Sequence, residues 1–533
     1  MSVKETPAQR VERVKREKAP WSILEDIKRY AREGFDSIPD EDLNIRFKHW
    51  GIYTQGDGGG VRGKAVPYLM MRIRTPNGVV TAQQARKVAE VSERFAQSSL
   101  DITTRANFQL HWITIEDLPR VWEELESVGL ISMGSCGDNT RTVTGCPLSG
   151  HEQGEIADTT ALTLAVDRHF NGNPAFANLP RKFKMTITGC PHWCTYPEIN
   201  DVGLTAVRRG EEVGFHIRVG GGLSTRPHMA LKLNAFIPWG QVIPVLEAVV
   251  AIFRDSDELR INRQKARMKF LFLDHGWTAD SFLAEVERRL GYRLDPAVEE
   301  VLPEESYRDH VGIHPQKEEG LYYAGFSVPV GRLTPAQLSR IADLADTYGD
   351  GQLRLTAMQN ILILNLPEAN LPAFRAAAGA VGIPLEASPF HRGTISCTGS
   401  EYCKLAIVET KRFSDNLKAE MERRFPEFGE QVKLHVTGCP NSCGQHWIAD
   451  IGLQGVAVNG GDGFDFFLHG GLGAEAAFGR RIGYRAAAAD VPDALERLFR
   501  AYLATRAPGE RFQRWANRVG DEALLRFLEE GLS

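Results

Sequence analysis

One stretch decides the fold of this chain: Thr437-Gly438-Cys439-Pro440-Asn441-Ser442-Cys443-Gly444. About forty residues earlier lies a second pair, Cys397 and Cys403, so the spacings are C-x5-C and then C-x3-C. Thiolates in two close pairs suit a single iron–sulfur cluster. The alternatives are a zinc site or buried free thiols, but the five-residue spacer is outside the range typical of zinc knuckles.

Pro440 favours the start of a helix, because its missing N–H costs nothing in a first turn. A helix that begins there would place Cys439 and Cys443 one turn apart near its positive end. The helix dipole would lower the pKa of both thiols. We therefore predict a helix N-terminus that stabilises the anionic cluster.

Composition excludes several classes of protein. The 533 residues predict two or more domains, and 43% hydrophobic with 25% charged residues is typical of a globular chain. The net charge of −5 gives no general signal for nucleic acid or membrane binding, and no apolar run is long enough to span a membrane. Met1 to Lys18 is charged and lacks the apolar segment of a secretion signal, so a cytoplasmic location is expected.

The decisive stretch occurs twice. Thr188-Gly189-Cys190-Pro191-His192-Trp193-Cys194 matches Thr437 to Cys443 at an offset of 249 residues. The same offset joins Asp201-Val202-Gly203-Leu204 with Asp450-Ile451-Gly452-Leu453, Gly214-Phe215 with Gly463-Phe464, and Gly221-Gly222-Leu223 with Gly470-Gly471-Leu472. Identities at one fixed offset indicate an internal duplication.

A second duplicated unit precedes each of these loops. Tyr68 to Arg74 is predicted as a strand and Thr81 as a helix cap, and both return as Leu321 to Ser327 and Thr334 at an offset of 253 residues. Each unit is too small to bury both faces alone, so the copies are expected to share one sheet.

The predicted fold is α/β (α+β) with internal pseudo-twofold duplication, in which two half-domains share a sheet and two larger domains accompany them. The predicted boundaries are 1–60 for an N-terminal lead-in, 61–130 and 311–387 for the half-domains, and 131–310 and 388–533 for the larger domains.

The sequence resembles assimilatory sirohaem- and [4Fe–4S]-dependent sulfite and nitrite reductases. The resemblance covers about Asp42 to Gly531 and is carried by TTRANFQLHW, NTRTVTG, NLPRKFK, LTAMQN, TISCTGSEYC and HVTGCPNSCG. It implies that all four cysteines, Cys397, Cys403, Cys439 and Cys443, hold a [4Fe–4S] cluster. It also implies that Cys443 bridges the cluster to the sirohaem iron. For the fold, it implies that the half-domains sharing a sheet are ferredoxin-like and that the larger domains are two sirohaem/Fe–S domains.

The resemblance further implies the residues on the substrate side: Arg72, Arg141, Lys182 and Lys184. Guanidinium and ammonium groups suit an oxyanion such as sulfite or nitrite. The offsets place Gly325 opposite Arg72 and Gln431 opposite Lys182, so the first copy has kept cations that the second lacks. Ordinary surface cations are the alternative, and the register could slip from Arg72 to Arg74.

The sirohaem carries many carboxylates and needs cationic and amide partners. The residues expected to contact it are Arg105, Asn107, Gln109, Gln359, Asn360 and Arg392, with Arg263 and Arg267 as weaker candidates. A polar strand face or a surface salt bridge is the alternative for each of them.

The first copy also retains cysteines. Cys146, Cys190 and Cys194 correspond to three of the four cluster ligands, and Glu152 lies opposite Cys403. The alternatives are a decayed site with buried thiols or a second cluster, with Cys136 or Glu152 as its fourth ligand. Cys136 could instead lie near the substrate pocket.

The predicted function is the six-electron reduction of sulfite to sulfide, with electrons from ferredoxin or a similar small carrier, by a monomer. Reduction of nitrite to ammonia with the same cofactors is the alternative, and a dissimilatory-type subunit or a non-catalytic Fe–S or zinc protein is more distant. The choice of sulfite depends on Lys182-Phe183-Lys184, because the resemblance implies that many nitrite enzymes replace the second lysine with a neutral residue. A second cation suits a dianion better than a monoanion.

Overall fold

The computed structural model describes residues 5–304 and 307–532. Within these ranges the strands form four five-stranded sheets, arranged as two smaller and two larger domains. None of the helices described there combines the length and apolar character that a membrane-spanning segment requires.

The first half-domain follows two N-terminal helices. Its elements are α1 (Pro7–Glu17), α2 (Leu24–Glu33), β1 (Ile52–Gly56), β2 (Ala65–Ile73), β3 (Val79–Thr81), α3 (Ala82–Phe95), β4 (Leu100–Ile102), β5 (Phe108–Ile113) and α4 (Leu118–Glu126). Strands β1, β2, β5 and β4 lie side by side and antiparallel.

The first larger domain follows the half-domain in the chain. It contains β6 (Thr144–Gly145), α5 (Thr160–Phe170), β7 (Met185–Thr188), β8 (Val202–Arg209), β9 (Glu212–Val219), β10 (Leu231–Pro238), α6 (Val242–Asp255), α7 (Lys269–Asp274) and α8 (Ala279–Leu290).

The second copy repeats this order. Its half-domain contains β11 (Gly312–Pro315), β12 (Leu321–Phe326), β13 (Arg332–Leu333), α9 (Pro335–Tyr348), β14 (Gln352–Leu355), β15 (Ile361–Pro367) and α10 (Leu371–Ala378). Its larger domain contains α11 (Pro389–Gly393), β16 (Thr394–Ser396), α12 (Lys411–Arg424), β17 (Leu434–Thr437), β18 (Ile451–Val458), β19 (Gly461–Leu468), β20 (Arg480–Ala487), α13 (Val491–Thr505), α14 (Phe512–Val519) and α15 (Asp521–Glu529).

The predicted helix caps are confirmed. Thr81 forms a capping box with Gln84 at the start of α3, and Thr334 forms the same box with Gln337 at the start of α9. Each box satisfies two backbone N–H groups that a helix start leaves without partners. The two capped helices pack against each other, and one hydrophobic core extends through both half-domains.

Contrary to the prediction from the sequence, the two half-domains do not share a single sheet. The half-domains build two sheets, and each sheet receives a short edge strand from the other copy: β3 pairs with β14, and β13 pairs with β4. Asn77 and Val330, at φ 56° and 46°, sit in the tight turns that redirect the chain before β3 and β13. Left-handed backbone at these positions sends each strand away from its own sheet.

The two larger sheets share one plan. The first three strands, β6-β7-β8 and β16-β17-β18, are parallel, and the last two in each sheet are antiparallel. Cys146 and Cys397 directly follow β6 and β16, while the duplicated loops follow β7 and β17. Because parallel strands end at the same edge, each copy brings its separated cysteines together there.

Candidate active site

The helix predicted at Pro440 does not form. Residues 438–445 form turns, in which Ser442 and Gln445 have φ values of 56° and 62°. Left-handed residues interrupt a right-handed helix. The first-copy loop has the same break at the equivalent Trp193 and Tyr196, with φ of 50° and 57°. The helix-dipole explanation for the thiolates is therefore wrong, and a local donor takes its place: the Gly438 N–H donates to Cys397 Sγ over 3.2 Å.

The four second-copy cysteines lie together at this edge of the sheet. Burial, with the Cys443 thiolate as a further cause, raises the pKa of Cys439 to about 12. Burial also raises the pKa of Cys403, to about 11, with Cys443 and Cys397 acting in the same direction. All four are free thiols. Buried thiols whose ionisation is disfavoured, first by burial and then by one another, are stabilised as thiolates by a cation or a metal cluster among them.

The spacing of these thiols suits a cluster better than a single ion. Among the described residues, no three of the four sulfur atoms lie within 4.8 Å of one another. The ligands of a cubane bind four separate irons, so they stand further apart than the ligands of one tetrahedral ion. This donor set therefore fits a [4Fe–4S] cluster.

Cys443 is exposed on the side that faces the first copy. Its carbonyl accepts a hydrogen bond from Thr104 Oγ1 at 3.3 Å. Burial works to lower the pKa of Arg72, but Cys136, Tyr53 and Cys443 raise it, and the net pKa is raised. The structure thus brings Arg72 of the first copy close to Cys443 of the second.

Arg72 is held by a bridge between the copies. It lies opposite Gln109 in the β2–β5 pair, and its Nη2 donates to Gln109 Oε1 over 2.7 Å. Gln109 Nε2 in turn donates to Thr398 Oγ1 over 3.1 Å, beside Cys397. Arg72 Nη1 also donates to Cys136 Sγ over 3.3 Å. Cys136 therefore lies beside Arg72, and its place near a substrate pocket stays a prediction.

The two predicted lysines lie in the same cationic environment. Burial, with Arg267 as the next cause, lowers the pKa of Lys182 to about 7, while Cys443 acts in the opposite direction. Burial and then Arg105 and Lys182 lower the pKa of Lys184 well below its usual value. A lysine with such a pKa can give up a proton near neutral pH.

Two arginines complete the set. Arg141 is buried and donates to backbone oxygens, Nε and Nη2 to Gly137 and Nη1 to Ser135. Arg105 donates to Asn200 Oδ1 at 2.9 Å and to the Thr142 carbonyl at 2.6 Å. Burial and then the neighbouring Arg141 lower the pKa of Arg105 to about 9.

This cluster of cations carries more positive charge than its carboxylates offset. Asp201 is the carboxylate that raises the pKa of Arg105 and Lys184, and Arg267 already binds it through Nη2 at 2.7 Å. Within the described part of the chain, Nε of Arg72 and Nε of Arg105 are buried without a hydrogen-bond partner. Unpaired buried donors and mutually repelling cations fit a bound polyanion.

The side chains of Asn107, Asn360 and Gln359, also predicted to contact the cofactor, form hydrogen bonds with backbone groups of the protein. Asn107 Oδ1 accepts from the Thr75 N–H at 3.1 Å, and Asn360 Oδ1 accepts from the Val328 N–H at 3.0 Å, so both hold equivalent turns. Gln359, by its Nε2, donates to the Ile102 carbonyl at 2.9 Å.

Carboxylates already bind Arg392, Arg263 and Arg74, as Asp201 binds Arg267. Arg392 donates to Asp309 through Nε and Nη2, each at 2.8 Å, and Arg263 pairs with Asp138 at 2.7 Å. Arg74 is buried and paired with Asp167 at 2.5 Å. A paired, buried Arg74 gives no support to the slipped register.

The sequence reasoning missed Tyr53, Asp201 and Thr398. Tyr53 lies beside Cys136, and burial followed by that thiol raises its pKa. Asp201 was visible only as part of the duplicated block, where Asp450 takes the same place: each accepts a backbone N–H, from Lys184 and Lys433 respectively. The repeat could have identified Asp201, whereas nothing in the sequence pattern points to Thr398.

The fold and the site together define a class: a duplicated α/β oxidoreductase in which four cysteines of one copy, suited to a cluster, lie near a buried group of cations from the other. The chain matches the family described as "Nitrite and sulphite reductase 4Fe-4S domain" over residues 136–294 and 387–533. It also matches the "Nitrite/Sulfite reductase ferredoxin-like half domain" over residues 62–128 and 314–381.

Similar proteins extend over nearly the whole chain. The "Assimilatory ferredoxin-dependent nitrite reductase" of Haloferax mediterranei is 36% identical, covering 95% of this chain and 91% of that protein. "Sulfite reductase [ferredoxin] 2" of Mycolicibacterium paratuberculosis is 36% identical, covering 96% and 95%. The solved structure of the Mycobacterium tuberculosis NirA protein has a TM-score of 0.92 at 35% identity, covering 97% of this chain and 98% of that one.

The chain therefore belongs to the nitrite and sulphite reductase family. It is an oxidoreductase of that family, and its predicted duplicated fold is confirmed.

Proposed function

We propose that this protein reduces sulfite to sulfide by six electrons, with a sirohaem and a [4Fe–4S] cluster as cofactors. One observation carries the proposal: Arg72 and Lys182 of the first copy lie near enough to the exposed Cys443 of the second for it to raise the pKa of both cations, although burial is the larger influence on each. The cofactor side and the anion side thus meet at one place.

The residues present fit both cofactors. Cys397, Cys403, Cys439 and Cys443 would hold the cluster, and Cys443 would also hold the sirohaem iron. Burial and neighbouring cations lower the pKa of Arg105, Lys182 and Lys184, so a polycarboxylate bound beside them would offset their charge, whereas Arg267 is already paired with Asp201. When bound, these groups supply the electrons and the iron that takes the anion.

The chain's own residues orient the anion and supply protons. Arg72 is fixed by Gln109 and Cys136, so its guanidinium can bind an oxyanion with little loss of side-chain freedom. Each oxygen leaves as water and needs protons. Lys182, whose pKa burial lowers to about 7, is suited to give them.

Sulfite is favoured over nitrite by Lys184. Burial lowers the pKa of Lys184, and a bound dianion opposes that shift more strongly than a monoanion does, so the lysine is protonated more fully beside sulfite. Replacing it with asparagine should therefore cost more with sulfite than with nitrite. We expect Lys184→Asn to lower kcat/KM for sulfite about tenfold more than for nitrite, measured with reduced methyl viologen; tenfold corresponds to about 1.4 kcal/mol.

The repeat provides a matched control. Lys433 occupies the equivalent position in the second copy, where its N–H binds Asp450 as that of Lys184 binds Asp201. Lys433→Asn should leave the ratio of sulfite to nitrite turnover unchanged. Equal losses for both anions in Lys184→Asn would remove the reason for choosing sulfite.

Nitrite is the second candidate substrate, because relatives of similar identity are named for either anion. The same comparison of kcat/KM values identifies the preferred anion.

Ferredoxin is the proposed electron donor. Relatives that cover nearly the whole chain are named as ferredoxin-dependent enzymes. Reduced ferredoxin as the sole donor should support turnover, and a failure to do so at any ionic strength would point to another carrier.

A further inference from the structure

The first copy keeps three thiols that the proposed reaction does not use. Cys146, Cys190 and Cys194 are at most 4% exposed, and all three sulfur atoms lie within 4.8 Å of one another. They meet because Cys146 follows β6 and the other two lie in the loop after the parallel strand β7.

Their spacing is that of ligands around a single ion. The Cys146 and Cys194 sulfurs are 3.9 Å apart. Tetrahedral zinc with Zn–S bonds of about 2.3 Å sets its sulfurs about 3.8 Å apart. The second copy is an internal reference, because its cluster-type thiols, on the same scaffold, stand too far apart to form such a group.

A buried histidine that shares a cavity with Cys194 is the candidate for a fourth ligand. His310 is 3% exposed, and both of its ring nitrogens lack a hydrogen-bond partner within the described residues. It lines one small cavity together with Cys194 and Arg308. A buried imidazole with two unsatisfied nitrogens costs free energy unless something binds it.

We propose that Cys146, Cys190, Cys194 and His310 bind one zinc ion in a closed structural site. Zinc takes three cysteines and one histidine in such sites. His310 lies outside the 4.8 Å group formed by the thiols, and binding draws its ring toward the ion. This inference is independent of which anion the enzyme reduces.

The surroundings suit the charge and the role of such a site. Three thiolates and Zn²⁺ leave one negative charge. Arg308 lines the same small cavity as Cys194 and His310, and its guanidinium also pairs with the buried Glu152. The thiols pack against Tyr323, Leu362 and Leu364 of the second half-domain. Zinc would therefore hold the first larger domain against the second copy.

The test is metal analysis of the purified holoprotein. We expect about one zinc per chain, and a zinc K-edge spectrum with three sulfur ligands at about 2.3 Å and one nitrogen. About eight cluster irons and eight acid-labile sulfides per chain would overturn the proposal in favour of a second cluster. Absence of zinc, with Cys146 and Cys194 oxidised or all three thiols free, would overturn it as well.

Variants test the ligand set separately from folding. Cys190→Ser should lose the zinc, and His310→Ala should lose it or bind it with lower affinity, while the visible spectrum of the other cofactors persists. His192→Ala is the matched control, because this half-buried histidine lies between the two loop cysteines. Loss of zinc in His192→Ala but not in His310→Ala would overturn the assignment of His310.

Discussion

At the scale of single residues, the site depends on a cross-strand pair within the first copy. Arg72 and Gln109 form one cross-strand pair, and the equivalent pair in the second copy is Gly325 and Leu362. The second copy thus lacks the guanidinium and the amide that positions it. The sequence led us to predict both Arg72 and Gln109 as site residues. It did not reveal the hydrogen bond between them, because the register between two strands cannot be read from one sequence.

Lys182 gives the site a predicted pH dependence. Its pKa is lowered to about 7, chiefly by burial, so the free enzyme loses this cation as the pH rises through that range. Capture of an anion should weaken in the same direction. We expect kcat/KM for nitrite, whose own charge is constant there, to fall with a midpoint at or above pH 7.

Lys182→Arg is the matched variant, because a guanidinium stays charged throughout this range. Its kcat/KM should stay level where that of the unmodified enzyme falls. The same falling limb in both proteins would exclude Lys182 as its cause.

At the scale of elements, the sequence predicted individual helices better than it predicted which strands pair. Thr81 and Thr334 mark helix starts because capping is a local interaction, and those helices form as predicted. Pro440 suggested a helix that the left-handed Ser442 prevents. The edge-strand exchange was missed, since two- and three-residue strands carry too little pattern to reveal a partner.

The exchanged strand β13 should contribute to stability. Leu333 is 2% exposed and faces Leu100 of the first copy. Leu333→Ala should cost about 2–5 kcal/mol, as buried leucine truncations do. Leu503→Ala, at a 40% exposed leucine, should change stability by no more than about 0.5 kcal/mol.

Thermal unfolding of Leu333→Ala and Leu503→Ala, with the unmodified protein as reference, measures the loss of stability in each variant. Similar melting temperatures for the two would mean that the exchange does not hold the copies together.

At the scale of the whole molecule, duplication explains why the site has two halves. The equivalent loops after β7 and β17 share their left-handed residues, so the backbone has diverged less than the side chains. The four cysteines and the fixed offsets between equivalent residues of the two copies could be recognised in the sequence. The meeting of Cys443 with Arg72 and Lys182 required the structure, because it depends on how the two copies pack.

The most direct test of this division compares equivalent cysteines, Cys443→Ser and Cys194→Ser, by visible spectrum and by turnover with reduced methyl viologen. The account predicts that Cys443→Ser loses the sirohaem absorption and all turnover, whereas Cys194→Ser keeps the sirohaem bands and measurable turnover. Circular dichroism confirms that each variant is folded. Retention of the bands and activity in Cys443→Ser, or their equal loss in two folded variants, would contradict a centre built on the second copy's cysteines.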